Sequence, residues 1–271
     1  DSVRCLSCGV DMCMKNTKDC KIGFNWRCLN NFCNKYQTTT SLFNNSFLDT
    51  FSTKPRKIFK AIIHLSMGLR LSQIKNLEAI NKNTLIKLKK VLNIRINLFF
   101  QRNKIKLGGP GVIVHCDETM LNHKVKAHRG RAPTKQIWAI VIVDTSTRPS
   151  KGYVQIVPDR KAETLMEIIE RVVRPGSIIH TDEWAAYNAI GCSQNYEHRT
   201  ICHKYNFINP VTGVHTQNVE SFNNKIKKAL KDSNGCQNDR KSEFVNFFLF
   251  NDTFKNNLLR KYLDLIAFER L

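Results

Sequence analysis

The sequence predicts a mixed α/β fold, preceded by a cysteine-rich unit and a helical unit. Two pairs of cysteines lie near the start of the 271-residue chain, a basic stretch with helical periodicity follows, and the rest contains short apolar runs and two amphipathic segments. The breaker cluster Gly108-Gly109-Pro110-Gly111 separates the last two parts. We therefore expect three domains, at 1–53, 54–107 and 108–271.

Two cysteine pairs predict a zinc ribbon in residues 1–53. The pairs are separated by about twenty residues, a spacing that lets two knuckles supply four thiolates to one tetrahedral Zn²⁺. The predicted ligands are Cys5, Cys8, Cys28 and Cys33. Cys13 and Cys20 lie between the pairs, and either could replace a ligand or stay a free thiol. The alternative is a set of reduced cysteines without metal.

Residues 54–107 predict three helices in a helix-turn-helix-like arrangement. Pro55 suits a first helical turn, Gly68 interrupts the pattern, and Asn81 or Asn83 could cap a longer third helix. We expect the basic side chains of that helix to face DNA: Lys82, Lys87, Lys89, Lys90 and Arg95. Any small helical bundle gives a similar pattern, so a solvated basic face is the alternative.

The charge of the chain indicates a polyanionic partner. It contains 43 Lys and Arg residues against 22 Asp and Glu residues, which leaves a formal charge of +21 and a pI near 9.7. Between Lys54 and Lys106 there are fourteen basic residues and one acidic residue, Glu78. Nucleic acid is the polyanion that such an excess most often serves.

Nothing in the sequence predicts a membrane or an oxidising compartment. Its longest apolar run, near residues 137–143, falls far short of the roughly 20 residues that span a bilayer. We find no pattern of a signal peptide, so we do not expect the ten cysteines to form disulfides.

Residues 108–271 predict a ribonuclease H-like α/β domain. Apolar runs at 112–116, 136–143 and 152–157 indicate three successive strands, 162–173 a helix with one apolar face, and 177–181 a fourth strand. A meander followed by a crossover helix and a parallel strand is the beginning of this fold. In that arrangement, the strand near Asp182 lies beside the strand near Asp117.

Three acidic residues in these settings predict a metal site for phosphodiester chemistry. Asp117 and Asp182 follow apolar strands, and Glu220 lies in the first turn of a predicted helix at 216–231. Carboxylate oxygens suit Mg²⁺ or Mn²⁺, and clustered carboxylates repel one another unless cations are bound. Taken singly, each acid could instead be a turn residue or complement a helix dipole. Lys227, two turns after Glu220, shares its helical face.

Spaced motifs cover nearly all of 108–271. They are Asp117-Glu118-Thr119, His128-Arg129-Gly130-Arg131, Val157-Pro158-Asp159-Arg160 with Ala162-Glu163-Thr164-Leu165, His180-Thr181-Asp182-Glu183-Trp184 with Ala186-Tyr187, Asn206-Phe207 through Asn209-Pro210, Thr212-Gly213-Val214-His215-Thr216, and Glu220-Ser221. In these motifs the chain resembles transposases of the Merlin superfamily and their bacterial ISXO2-like and IS1016-like insertion-sequence relatives. The zinc ribbon with its connector is similar too.

The resemblance implies cut-and-paste DNA transposition by a DDE-type domain. It carries the catalytic triad onto Asp117, Asp182 and Glu220, with two Mg²⁺ or Mn²⁺ ions, and a helical lysine onto Lys227. It also implies double-stranded DNA partners (terminal inverted repeats and target DNA), at least a homodimer in the DNA complex, and a nuclear location. Asn223-Asn224 and Cys202 depart from the pattern without touching the triad, and Asn218 is a secondary candidate.

The loop after the first predicted strand offers further basic residues. Arg129, Arg131 and Lys135 follow it in sequence. We expect them to bind phosphates near the site, and a solvated loop is the alternative.

Three other functions remain open on the sequence. A domesticated DNA-binding regulator would usually lose acidic residues, whereas here all three are present. A ribonuclease H-like nuclease would cut DNA without joining it. A zinc-bearing RNA-binding module would need exposed aromatic residues, but most of the sixteen phenylalanines lie in apolar patterns.

Overall fold

The computed structural model describes residues 3–17, 20, 22–122, 136–201 and 213–267, which form two compact units. The first unit extends to Arg95 and takes in the described residues from Asn256 onward, and the second covers Ile96–Lys255. These limits differ from the predicted domain boundaries at 53/54 and 107/108, which stay a prediction.

The first unit begins with a three-stranded antiparallel sheet. Strands β1 (Cys13–Asn16), β2 (Phe24–Arg27) and β3 (Thr39–Ser41) lie in that order. Cys28 follows β2 directly, so the sheet positions one of the predicted zinc ligands.

Three helices follow, as the sequence predicts: α1 (Pro55–Ser66), α2 (Leu71–Glu78) and α3 (Lys82–Arg102). Pro55 occupies the first turn of α1. Asn81 is the residue that caps α3, because its side-chain oxygen accepts a hydrogen bond from the Asn83 N–H at 2.8 Å. Gly68 has φ +83°, which favours glycine at the turn after α1.

Apolar packing and one polar cluster hold these helices together. Fully buried side chains come from each helix, among them Ile58, Ile74 and Leu88. Glu78 of α2 contacts two basic side chains of α1, the His64 ring at 3.0 Å and the Lys60 ammonium at 3.1 Å. These hydrogen bonds, His64 first, lower the pKa of Glu78.

A five-stranded mixed sheet forms the centre of the second unit. Its strands are β4 (Ile113–Met120), β5 (Trp138–Asp144), β6 (Lys151–Val157), β7 (Ile178–Asp182) and β8 (Glu197–Ile201), in the order β6-β5-β4-β7-β8. The pairs β4–β5 and β5–β6 are antiparallel, whereas β4–β7 and β7–β8 are parallel. Helix α4 (Ala162–Val172) connects β6 to β7. The mixed α/β class is confirmed, and these features are the ones on which the ribonuclease H-like prediction depends.

Alternating side chains give this sheet two apolar faces. On one face Val114, Cys116 and Ile140 pack with α4 and with residues near the short helix α5 (Asn188–Gly191). On the other face Val141 packs with Phe222 of α6 (Gln217–Asp232) and with α7 (Lys241–Thr253). The sheet is therefore covered by helices on both sides, which suits its parallel strands.

The C-terminal stretch contains two helices. Helix α7 packs in the second unit, and α8 (Leu258–Ala267) belongs to the first, where it contacts α1. In the described part of the chain, no helix is long and apolar enough to cross a membrane.

Candidate active site and metal centre

Two neighbouring parallel strands bring Asp117 and Asp182 together. His115 of β4 is paired with His180 of β7. Because each aspartate comes two residues later, the same register places Asp117 beside Asp182 on the same face of the sheet.

Asp117 lies inside its strand. Strand β4 continues to Met120, so the prediction that the strand ends at 116 and that Asp117 follows it is wrong. Antiparallel pairing with β5 extends through Glu118, Thr119 and Met120 and holds these polar residues in strand conformation. The backbone at Asp117 is therefore held by its pairing with β5 rather than by a turn.

Helix α6 adds Glu220 to the same face. The Asn223 side chain, one turn after Glu220, donates a hydrogen bond to Asp117 Oδ2 at 2.7 Å. Burial, the Asp182 charge and, more weakly, Glu220 raise the pKa of Asp117 to about 6. The three predicted acids therefore act on one another across the sheet and the helix.

A glycine allows α6 to approach the sheet. A Cβ atom at Gly152 of β6 would lie 2.2 Å from the ring of Phe222. Only a residue without a side chain lets this buried ring lie on the strand. Phe222 is two residues after Glu220 in α6, so the contact sets how close the helix carries its acid to the sheet.

Three histidines lie beside the acids. The rings of His115 and His180 are stacked with centroids 5.3 Å apart, and His215 packs edge-on against His115 at 4.9 Å. His180 Nδ1 lies 3.3 Å from the His215 carbonyl oxygen. Burial, with the charges of His180 and His215, lowers the pKa of His115 to about 3, so that ring is neutral near pH 7.

Glu118 faces the opposite side of the sheet from the trio. Its neighbours there are the buried Tyr187 hydroxyl and the Arg160 guanidinium. Burial, opposed by Tyr187 and reinforced by Asp117 and Asp182, raises the pKa of Glu118 to about 7. Glu118 was not a predicted site residue, because the alternation of side chains along the strand places it on the other face of the sheet from Asp117.

The acidic trio fits a hard divalent cation by its chemistry. All the donors are carboxylates, the ligand type that Mg²⁺ and Mn²⁺ prefer. The groups that lower the pKa of Asp117 are the Glu118 backbone N–H and the Asn223 amide, neither of which carries positive charge. The carboxylate oxygens of the trio do not all lie within 4.8 Å of one another. Among the described residues, only four cysteines bring three or more potential ligand atoms that close together.

Those four cysteines are the predicted zinc ligands. Cys5 Sγ lies 3.9 Å from Cys33 Sγ, and Cys8 Sγ lies 3.8 Å from Cys28 Sγ. A tetrahedron with Zn–S bonds of about 2.3 Å has S···S edges of about 3.8 Å, whereas a disulfide bond measures about 2.05 Å. The spacing of the thiols therefore fits Zn²⁺.

The other two cysteines of this region lie outside the group. The Cys20 thiol donates to the carbonyl oxygens of Thr17 and Phe24, and Cys13 is exposed on β1. Backbone N–H groups of Cys8 and Ser7 lower the pKa of Cys5 to about 6, which favours a thiolate.

The predicted DNA-binding residues of α3 are in different environments. Lys82, Lys87 and Lys90 are exposed, and Lys89 is half-buried. Lys87 is also tied to its own unit, because its ammonium donates to the Thr50 carbonyl oxygen at 2.6 Å.

Arg95 departs from the prediction that it faces DNA. Its side chain is 8% exposed, it donates to the Leu265 carbonyl oxygen at 2.6 Å, and it lies over the Phe47 ring. The packing of α8 covers this position, which the periodicity of α3 alone leaves open.

Of the remaining predicted DNA contacts, Lys227 is exposed on α6, two turns after Glu220. Arg129, Arg131 and Lys135 lie outside the described residues, as does Cys202.

Asn223 is the functional candidate that sequence reasoning missed. It was noted only as a departure from a family pattern, yet it binds Asp117 directly. Its spacing of three residues from Glu220 puts both on one helical face, and this was the available signal.

Comparisons of the sequence with known proteins show the family of this chain. Residues 106–253, more than half of the chain, match the family described as "ISXO2-like transposase domain". An "Uncharacterized transposase-like protein" of Haemophilus influenzae (strain ATCC 51907 / DSM 11121 / KW20 / Rd) is 32% identical over 88 residues, which cover 31% of this chain and 67% of the relative.

Solved structures of retroviral integrases also match this chain, with low sequence identity and low TM-scores. The simian T-cell lymphotropic virus intasome in complex with the PP2A regulatory subunit B56 gamma matches with 17% identity and a TM-score of 0.36, over 70% of this chain and 67% of that one. The catalytic core domain of BIV integrase matches with 16% identity and a TM-score of 0.33, over 51% and 82%. The HTLV-2 integrase catalytic core domain in complex with magnesium matches with 19% identity and a TM-score of 0.32, over 55% of this chain and 88% of that one.

Proposed function

Because the chain belongs to the family of ISXO2-like transposase domains, we propose that it is a DNA transposase. It binds the terminal inverted repeats of its element, cleaves the ends and joins the freed 3′-OH ends to target DNA. The alternatives from the same sequence are a ribonuclease H-like nuclease and a domesticated DNA-binding regulator.

The observation that carries the proposal is the electrostatic state of Asp117. A half-buried carboxylate lies near two others, and Asp182 and Glu220 both raise its pKa. Carboxylates that lie close together repel one another, and a bound cation would remove that repulsion. A role confined to packing would be served as well by apolar residues.

In this proposal Asp117, Asp182 and Glu220 hold two Mg²⁺ or Mn²⁺ ions. When bound, the ions would activate the attacking oxygen and neutralise the charge that develops on the phosphate. Asn223 fixes the direction of the Asp117 carboxylate through its hydrogen bond. The stacked ring of His115, neutral near pH 7, adds no positive charge to compete with a cation.

We assign DNA recognition to the first unit. Zn²⁺ held by the four thiols would fix the ribbon, and the exposed Lys82 and Lys90 of α3 would neutralise phosphates. The strong positive charge of the chain supports this role. Zinc content should fall when one of the four thiols is removed, as in Cys28→Ser. Cys13→Ser is the matched control for that measurement, because Cys13 lies outside the group of four.

The test is a cleavage and joining assay on duplexes that carry the element's terminal repeats, with Mg²⁺ or with EDTA. We expect Mg²⁺-dependent nicking and strand transfer by the parent, and a loss of at least 100-fold in Asp182→Asn, since each catalytic metal ligand is worth several kcal/mol. Asp252→Asn is the control: this carboxylate of the same unit pairs with Lys225. Equal rates in the parent and Asp182→Asn contradict the assignment of the site.

The same assay separates the alternatives. Cleavage without strand transfer would identify a nuclease, and DNA binding without either reaction would identify a regulator. Assignment to the Merlin superfamily, a homodimer that holds two transposon ends, and a nuclear location remain predictions from the resemblance.

A further inference from the structure

Arg160 lies between two tryptophan rings in the second unit. Its guanidinium carbon is 4.0 Å from the centroid of the Trp138 ring and 4.7 Å from that of the Trp184 ring. Both distances are within the range of cation–π interactions, and arginine adds planar stacking. The three side chains form a stack, which we call the Trp–Arg–Trp stack.

The backbone around the stack is fixed by local hydrogen bonds. Asp159 Oδ1 accepts from the Lys161 N–H at 3.1 Å and from the Thr164 hydroxyl at 2.7 Å, which holds the segment before α4 that carries Arg160. The Trp184 N–H donates to Asp182 Oδ1 at 3.0 Å. The stack is therefore ordered without a ligand, so a ligand would not have to order it on binding.

Trp184 is unusual because it is 43% exposed although Arg160 lies over one face of its ring. Most of this exposed area consequently belongs to the side away from Arg160. A large aromatic surface of this kind, backed by a cation, suits a flat and electron-rich partner. A nucleobase is such a partner, and stacking of one base on an aromatic side chain is worth about 1–3 kcal/mol.

The stack is next to the candidate active site. Trp184 follows Asp182 by two residues and binds its carboxylate through the backbone. A nucleotide whose phosphate reaches the acidic trio would therefore have its own or its neighbour's base near Trp184.

We propose that the exposed ring of Trp184, supported by Arg160, binds a nucleobase that has left the DNA stack beside the phosphate on which the acidic trio acts. This inference rests on the proposed function, since it assumes a DNA substrate. The unstacked base positions the strand, and Trp184 and Arg160 are positioning residues that do not touch the reacting atoms.

The test measures binding in EDTA, without metal and without cleavage. Two duplexes of the same arbitrary sequence are compared by fluorescence anisotropy: in one, a single 2-aminopurine is paired, and in the other it is an unpaired bulge. We expect the parent to bind the bulged duplex about 10-fold more tightly, the ratio that corresponds to about 1.4 kcal/mol of stacking. The fluorescence of the bulged 2-aminopurine should fall on binding.

Variants show whether the stack causes the preference. Trp184→Ala should reduce the ratio of affinities to within 2-fold, Trp184→Phe should keep most of it, and Arg160→Ala should reduce it in part. Arg171→Ala is the charge-matched control, because Arg171 of α4 bonds Gln155 and Tyr153 and has no place in the stack. It should weaken binding of both duplexes equally. Circular dichroism verifies the fold of each variant.

Two results would overturn the inference: no preference in the parent, or an unchanged preference in Trp184→Ala. Either can occur while Mg²⁺-dependent cleavage and joining proceed, which would leave the proposed function intact. Conversely, an inactive protein that shows the preference would support the stacking site and count against transposase activity.

Discussion

Replacing Asp117 by asparagine should stabilise the metal-free protein while it abolishes activity. The change removes a half-buried charge but keeps an oxygen that can accept the Asn223 hydrogen bond. Burial and the neighbouring acids raise the pKa of Asp117 from an ordinary value of 3.8 to about 6. At 1.36 kcal/mol for each pH unit, this difference corresponds to roughly 3 kcal/mol of destabilisation in the parent, as an upper limit.

The sign of the pH dependence follows from this shift. Because the pKa of Asp117 is higher in the folded chain than in the unfolded chain, its penalty is absent below about pH 4, grows between about pH 4 and 6, and is complete above that. Urea unfolding in EDTA should therefore show the variant more stable than the parent by up to roughly 3 kcal/mol at pH 7.5, with the difference vanishing near pH 4. Added Mg²⁺ should stabilise the parent and have little effect on the variant.

Asp144→Asn is the matched control in a neighbouring strand. Asp144 is buried, but its carboxylate accepts hydrogen bonds from the Gly108 N–H and from the N–H and hydroxyl of Ser146. Burial raises its pKa, and these bonds outweigh burial, so the net direction is downward. This variant should lose about 1–3 kcal/mol at pH 7.5. A less stable Asp117→Asn, or a gain that does not depend on pH, would refute the reasoning.

Three further predictions concern packing, zinc and DNA. Gly152→Ala should cost about 1–3 kcal/mol in urea unfolding and should lower activity, because the new Cβ would overlap the Phe222 ring that sets the position of α6. Replacing that ring with the smaller leucine side chain, in Phe222→Leu, should recover part of the loss. Cys28→Ser should reduce bound zinc from about one to near zero per chain in a colorimetric release assay, and retained zinc would exclude the four-thiol site. Lys90→Ala should reduce the salt slope of DNA binding by about one, whereas Arg95→Ala should instead lower the stability of the first unit, because Arg95 is buried.

Local pattern was sufficient for most elements. The apolar periodicities predicted α1 to α3 as helices and placed α4, α6 and four strands of the mixed sheet within a few residues of their observed bounds, since each element buries its own apolar stripe. Strand β8 was not predicted, because its sequence Glu197–Ile201 is mostly polar and it forms by pairing with β7. The extension of β4 through Asp117 has the same cause, since pairing with β5 holds Asp117 and Glu118 in a strand although acidic residues favour strands weakly.

In the candidate site too, the sequence predicted some residues and could not predict the contacts of others. Asp117, Asp182 and Glu220 could be chosen from their settings at strands and at a first helical turn. The contact between Asn223 and Asp117, 106 residues apart in the chain, could not, because no local pattern pairs a helix residue with a strand residue. Arg95 was predicted to contact DNA because the sequence near it does not show that another helix covers it. That helix contacts Arg95 through Leu265, which is 170 residues away in the chain.

The sequence by itself determined the class of the fold, the four cysteines, the acidic trio and the positive charge, because spacing and residue chemistry are local properties. Only the tertiary structure decided which side chains meet: Gly152 under Phe222, Asn223 on Asp117, and Arg160 between Trp138 and Trp184. Such contacts arise from sheet register and helix packing, which bring together residues that are distant along the chain. The pKa of Asp117 follows from that convergence, since burial and neighbouring charge exist only in the folded protein.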